Sequence, residues 1–358
     1  MNTNSILKKV VGFEIEATTR CNAGCPGCPR YDYDELDKLN SCVTLEDITI
    51  NEFKHIFHSP EYMTNKKYHF CGLLGDCISN KDIFEIFSHI SLNSENAYIQ
   101  FSTNGSVRNT DWWHSLGELS TFHHEKHRRD LTAIFAVDGH RETNHIYRRR
   151  TNFDKILENM YAYKVGGGTG KWMYIVFDHN EHEVEIAREE ARKLGFEFEI
   201  KISHRNIAME AENMTKSSMS SSSTVSEKFK HPLSPSSSSL GKTLSIQHKF
   251  DHNIDCRWVD DYRLFVGANK TLWPCCYLYQ STLENKEAVK LKSTYGDFND
   301  LMKHDLVDVL EHEWFDGVLK DSFYSGHEMH FNKCDKHCGD GASRRDYIIQ
   351  DDGKRKKL

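Results

Sequence analysis

Between residue 11 and about residue 203, short β-rich runs alternate with amphipathic helical patterns, and this alternation narrows the fold more than any other feature of the chain. The β-rich runs fall at 11–17, 67–71, 97–102, 132–137, 172–177 and 196–202. Between them, Ile83, Phe84, Ile86, Phe87 and Ile90 recur at i, i+3, i+4, i+7 spacing, as do Phe153, Ile156, Leu157 and Met160. Val184, Ala187, Ala191 and Leu194 mark a further helix. Consecutive β-α units joined by right-handed crossovers give a parallel sheet that lies open or curls into a partial barrel. In either form the loops after the strand carboxyl ends make the functional rim.

The loop expected after the first strand reads Thr19-Arg20-Cys21-Asn22-Ala23-Gly24-Cys25-Pro26-Gly27-Cys28-Pro29-Arg30. Three thiolates at x3 and x2 spacing can hold three corners of a cubane iron-sulfur cluster and leave the fourth iron open. A fully ligated cluster mainly shuttles electrons, whereas an open iron can bind a cofactor or substrate and pass an electron into it. Zinc is the other reading of the residues, with Asp32 or Asp34 as a fourth donor, although structural zinc sites favour paired CxxC knuckles.

Eleven cysteines, clustered at 21–28, 275–276 and 334–338, favour metal ligation in a reducing compartment over a disulfide framework, which predicts a cytoplasmic protein. A formal net charge of -7 argues against a general nucleic-acid binder. The basic runs at 123–129 and 354–357 read as a solvated face and a tail. No apolar stretch reaches the length of a signal peptide or a membrane span. The Ser-rich stretch at 216–240 is too polar to bury much surface and predicts a disordered linker over 211–245. A core domain over 1–210, a second cysteine-bearing domain over 246–345 and a basic tail over 346–358 follow. Cys42, Cys71 and Cys77 are expected as small buried apolar residues.

The first cysteine motif and its setting resemble the signature of the radical S-adenosylmethionine (SAM) superfamily. The resemblance implies a partial (β/α)6 barrel in which Cys21, Cys25 and Cys28 bind a 4Fe-4S cluster whose open iron is chelated by the amino and carboxylate groups of SAM. Cys71-Gly72-Leu73-Leu74-Gly75-Asp76-Cys77 is similar to the family's Gly-Gly-Glu-Pro-like motif, which assigns Gly75 and Asp76 to the SAM amino group. Phe101-Ser102-Thr103-Asn104-Gly105 resembles its Thr-Asn-Gly strand end, with Ser102 and Asn104 toward the methionine carboxylate and ribose. Asp138 is implied near the ribose hydroxyls and Arg148 near the carboxylate, while Arg149 and Arg150 are read as solvated. Where family members often place an aromatic on the adenine this chain has Gly27, so Ile175 and Val176 are expected to cover that face.

The later cysteines resemble the auxiliary-cluster domains called SPASM and, in shorter form, twitch. The Cys, spacer, Gly, four residues, Cys pattern falls on Cys256, Lys270 and Cys275, with Lys in place of glycine, and Tyr295-Gly296-Asp297-Phe298 with the following helix suits such a domain. One auxiliary 4Fe-4S cluster on Cys256, Cys275, Cys334 and Cys338 is implied, with Cys276 as an alternative to Cys275. A zinc knuckle of Cys275, Cys276, Cys334 and Cys338 is the competing reading. By resemblance the chain is an oxidoreductase that cleaves SAM to a 5'-deoxyadenosyl radical and abstracts hydrogen from a peptide, protein or small molecule. It would take electrons from a donor such as flavodoxin or ferredoxin and bind neither nucleic acid nor membrane. The alternative is a metal-stabilised binding or regulatory protein without radical chemistry.

Overall fold

A computed structural model describes residues 4–31, 38–201, 251–284, 286–324, 326–340, 347–349 and 355–357. The expected linker, the Ser-rich tract, Asp32 and Asp34 lie outside the described residues.

All six expected strands form, as β1 (Gly12–Ile15), β2 (Lys67–Phe70), β3 (Tyr98–Thr103), β4 (Leu131–Ala136), β5 (Thr169–Ile175) and β6 (Glu197–Lys201). Each pairs in parallel with the next, so the sheet runs in sequence order from β1 to β6. The helices expected between them are Ile83–Asn93, Phe153–Val165 and Val184–Leu194. Another, Thr110–His127, starts where the Asn109 side chain accepts from the Trp112 N–H. Alternation along the strands sorts the side chains. Phe13, Ile15, Tyr68, Phe70, Ile99 and Phe101 are at most 1% exposed beneath the helices, whereas Glu14, His69, Gln100 and Ser102 on the other face stay partly open. Phe70 meets Phe87 edge-on at a centroid distance of 4.9 Å, and Trp113 lies between Phe101 and Phe135.

The second cysteine region adds strands to this sheet. Of β7 (Asp251–Ile254), β8 (Arg263–Val266), β9 (Leu272–Trp273) and β10 (Gly339–Asp340), β8 pairs in parallel with β1 on the side away from β2, and β9 pairs antiparallel with β8. At the far edge β11 (Tyr347–Ile349) lies antiparallel to β6 and pairs with β12 (Arg355–Lys357), so the expected basic tail contributes strands. The sheet order is β12-β11-β6-β5-β4-β3-β2-β1-β8-β9, an unclosed α/β sheet. One hydrophobic core runs from Phe13 and Phe70 through Phe265 and Trp273 to Trp314 and Phe331.

Two surface readings are corrected by burial. His123 and His127 are 0% and 5% exposed, and their rings bond to Ala97 O and Ser91 O, so the 123–129 run is not simply a solvated face. Cys77 is buried as expected, Cys71 is half-buried, and Cys42 is exposed.

Candidate active site

The cysteine loop leaves β1 and is held by main-chain and side-chain bonds from several directions. Thr19 N–H donates to Glu46 O and Arg20 N–H to Thr18 Oγ1, Asp76 N–H donates to Arg20 O at 2.8 Å, and Gly24 N–H donates to Arg149 O at 2.9 Å. Within the loop, Cys28 N–H reaches Cys25 O, and the Tyr31 hydroxyl reaches Ala23 O at 2.8 Å. Gly27 makes the turn between the last two cysteines at φ +69°, where an L side chain is strained.

The sulfurs receive side-chain donors from two other strand ends. Asn104 Nδ2, just past β3, lies 3.7 Å from Cys21 Sγ and also donates to Asn22 Oδ1. Arg148 Nη1 lies 3.6 Å from Cys25 Sγ, and its Nε donates at 2.6 Å to Oδ2 of Asp138, which is fully buried just past β4. The other Asp138 oxygen accepts from Ile175 N–H, and Asn180 holds the Asp138 carbonyl. Asp138 and Arg148 are thus one ion pair delivered to the cysteine loop. Ser102 sits on the half-open sheet face with its Oγ 3.4 Å from His69 Nε2.

The loop after β2 is built tightly onto this frame. A Cβ at Gly75 would stand 2.0 Å from Thr18 O and 2.9 Å from Arg20 N, so only glycine lets the two backbones touch. Asp76 is 4% exposed: Oδ1 caps Ile78 N–H, and Oδ2 accepts from Asn104 N–H at 2.7 Å and Thr103 Oγ1 at 3.1 Å. Burial raises its pKa above the usual carboxylate range against the pull of those bonds. Its oxygens therefore brace β3 against the β2 loop.

Sequence reasoning missed Glu16, the first residue after β1. Its fully buried carboxylate accepts from three consecutive amides, Leu73 N–H at 3.0 Å, Leu74 N–H at 3.0 Å and Gly75 N–H at 2.7 Å. Burial pushes the carboxyl up to about 8, while the three bonds and Arg30 pull it down. Tyr147 and Phe177 were missed too. With Ala23 and Cys25 they form a small apolar cluster, rings 4.7 Å apart, with Cys21, Cys28 and Ile175 against it. Ile175 therefore adjoins the cysteines as expected, but Val176 points into the main core and Phe177 takes its place, as the two-residue period of an extended chain requires.

Cys25 is 8% exposed, and burial pushes the Cys21 thiol up to about 12, with Asp76, Cys25 and Cys28 adding to the shift. Thiols held so high ionise when a metal takes the place of the proton. Among the described residues no three His, Cys, Asp or Glu side chains are placed to grip one shared metal ion.

The later cysteines also converge. Asp255 N–H donates to Cys338 O, and β7 and β10 pair, which brings Cys256 beside Cys338. Burial pushes the Cys275 thiol up to about 12, with Cys338 and Cys256 adding; Cys334 is raised by burial and then by Cys275, Cys338 and Cys256. Cys276 instead acts on Cys71. Lys270 adopts φ +61°, the left-handed conformation that glycine takes most easily, and its ammonium lies 3.4 Å from Glu52 and 3.7 Å from Glu46.

No family model and no curated protein matches the chain. Solved structures do. The structure of anSMEcpe with bound AdoMet superposes with a TM-score of 0.51 at 14% identity, over 92% of this chain and 89% of that one. Streptococcus suis SuiB bound to S-adenosylmethionine gives a TM-score of 0.52 at 10% identity, over 91% and 72%. SuiB bound to the precursor peptide SuiA gives 0.51 at 10% identity, over 86% and 66%. The chain therefore shares its fold with these structures. On that fold, the cysteine loop, the β2 loop and the Asp138–Arg148 pair occupy the carboxyl-end rim of the sheet, where such sheets carry their sites.

Proposed function

We propose that the chain is a radical SAM enzyme in which Cys21, Cys25 and Cys28 hold a 4Fe-4S cluster and SAM binds over it, and that it acts on a peptide or protein. The observation that carries this reading is the three-cysteine loop, with Asn104 and Arg148 donating to two of its sulfurs, on a fold shared with structures that contain bound AdoMet. A reduced cluster in this loop would supply one electron for cleavage of the SAM sulfonium to a 5'-deoxyadenosyl radical, which takes a hydrogen atom from the substrate.

The chain's own residues prepare that chemistry. Asn104 and Arg148 orient the cysteine loop through N–H···S bonds, a recognised influence on cluster potential. Asp138 keeps the Arg148 fork in place for a carboxylate. Ser102, on the half-open sheet face, lies toward the methionine end, while Gly75 and Asp76 hold the loop that receives the amino group. Tyr147, Phe177 and Ile175 keep water from the cysteine loop.

Cys256, Cys275, Cys334 and Cys338 are proposed to ligate one auxiliary 4Fe-4S cluster, with Cys275 chosen over Cys276 by its electrostatic coupling to the other three. A peptide substrate is favoured by the fold shared with SuiB, solved with its precursor peptide SuiA. A protein donor such as flavodoxin or ferredoxin would reduce the cluster. Among the described residues no helix is long and apolar enough to cross a membrane.

The test is anaerobic reconstitution with iron and sulfide. The wild type should carry a SAM-responsive reduced-cluster EPR signal and form 5'-deoxyadenosine with dithionite. Cys25→Ala should lose both and keep the auxiliary cluster, and Cys334→Ala should lose the auxiliary signal alone. Wild-type protein that takes up zinc but neither iron nor sulfide would overturn the proposal.

A further inference from the structure

Glu16 stands apart in the site because its buried carboxylate gathers the N–H groups of three successive residues, Leu73, Leu74 and Gly75. A carboxylate held this way fixes the orientation of whole peptide planes. In a trans peptide the carbonyl points opposite to the N–H of the same unit. Aiming those three amides at Glu16 therefore turns the carbonyls of Gly72, Leu73 and Leu74 away from it. Arg30 Nη1 takes Leu74 O at 3.4 Å. No hydrogen bond from a described residue reaches the carbonyls of Gly72 or Leu73, and Gly72 is exposed and Leu73 partly so. Asp76, the carboxylate that follows in the same loop, is buried and engaged with Ile78, Thr103 and Asn104.

We infer that Glu16 is the positioning residue of the SAM amino-group subsite: it holds the 72–75 turn so that the carbonyls of Gly72 and Leu73 form an acceptor pair for the ammonium. This rests on the SAM site proposed above. Glu16 acts through the turn and touches neither the cluster nor the ligand. Gln in its place retains one acceptor oxygen but presents an NH2 group to amides that are themselves donors, so the turn cannot keep all three bonds. Asp keeps the charge on a stem one methylene shorter.

The test compares two probes on the full chain reconstituted anaerobically: SAM, and 5'-methylthioadenosine, which keeps the adenosine and sulfur but has no amino acid portion. Equilibrium dialysis measures both affinities for wild type, Glu16→Gln and Glu16→Asp, alongside iron and sulfide content. In both variants SAM should bind roughly tenfold more weakly, the scale of a lost charge-assisted hydrogen bond, with methylthioadenosine affinity and metal content at wild-type levels. Wild-type SAM affinity in the variants overturns the inference. So does equal weakening of both probes, or loss of iron in both variants, since either marks a merely structural role. A wild-type chain that binds no SAM overturns the site itself and this inference with it, which is distinct from a wild type that binds SAM beside unaffected variants.

Discussion

Replacing Gly75 with Ala tests the contact on which the geometry of the site turns. The added methyl would stand 2.0 Å from Thr18 O, 2.7 Å from Thr18 C and 2.9 Å from Arg20 N, all backbone atoms with no rotamer to yield. To restore ordinary contact the two loops must part by about 1 Å, which stretches Gly75 N–H to Glu16, now 2.7 Å, and Asp76 N–H to Arg20 O, now 2.8 Å, beyond bonding range. Overpacking costs about 1–3 kcal/mol, and a buried bond to an ionisable group about 1.5–3 kcal/mol, so a loss of about 3–5 kcal/mol is expected. At roughly 2–4 °C per kcal/mol for a domain of this class, Tm should fall by about 10 °C, measured by differential scanning fluorimetry under anaerobic conditions. SAM binding should weaken in the same variant. Gly317→Ala is the control: nothing lies within 4 Å of that position, and Tm should stay level or rise slightly. A Gly75→Ala protein with wild-type Tm and SAM affinity would refute the argument that the two loops are braced by this contact.

The remaining predictions rest on charge and backbone conformation. Asp138→Ala strips Arg148 of its 2.6 Å partner inside the site and should cost about 3–5 kcal/mol by urea denaturation, with the Asp138→Ala, Arg148→Ala double variant less than additive. Burial and the neighbouring His127 depress His123 to about 4, below the ordinary imidazole value of about 6.5. The native ring stays neutral while the unfolded chain takes up a proton, so stability should be complete above pH 6.5 and fall as pH drops toward 4; His123→Gln should flatten that slope in urea midpoints at pH 7.5 and 5. Lys270→Ala loses two ion pairs and keeps a left-handed backbone, whereas Lys270→Gly loses the pairs and relieves the strain, so the glycine variant should be the more stable by about 1 kcal/mol.

The sheet was legible because its signal is periodic and local: every one of the six β-rich runs became a strand in sequence order. β8 was not, although it lies beside β1. It is four residues long, follows the linker region, and owes its place to pairing with β1 that no local pattern encodes. Phe177 and His123 carried signals that were available. The two-residue period puts Phe177 and Ile175 on one face, and the helical spacing of Leu116, Ser120, His123 and His127 puts both histidines on the buried side. Glu16 is different in kind. In Glu14-Ile15-Glu16 the two carboxylates look alike, yet Glu14 is partly open beside Arg263 and Glu16 is sealed under a turn that arrives from far along the chain.

That difference explains how an irregular loop can serve as a precise ligand frame. Cys21, Cys25 and Cys28 lie in a stretch without helix or strand, so their positions cannot come from local hydrogen-bonding repeats. They come instead from the ends of three strands: Glu16 after β1 captures the β2 loop, Asp76 after β2 captures the end of β3, and Asp138 after β4 captures Arg148. Each carboxylate is buried and each accepts from groups that arrive from distant sequence, so displacing one leaves an uncompensated buried group and is resisted by the whole sheet. Three buried acidic residues thereby hold the frame on which the cysteines stand, and the same logic predicts that conservative changes at Glu16, Asp76 and Asp138 lower the urea midpoint as well as SAM affinity.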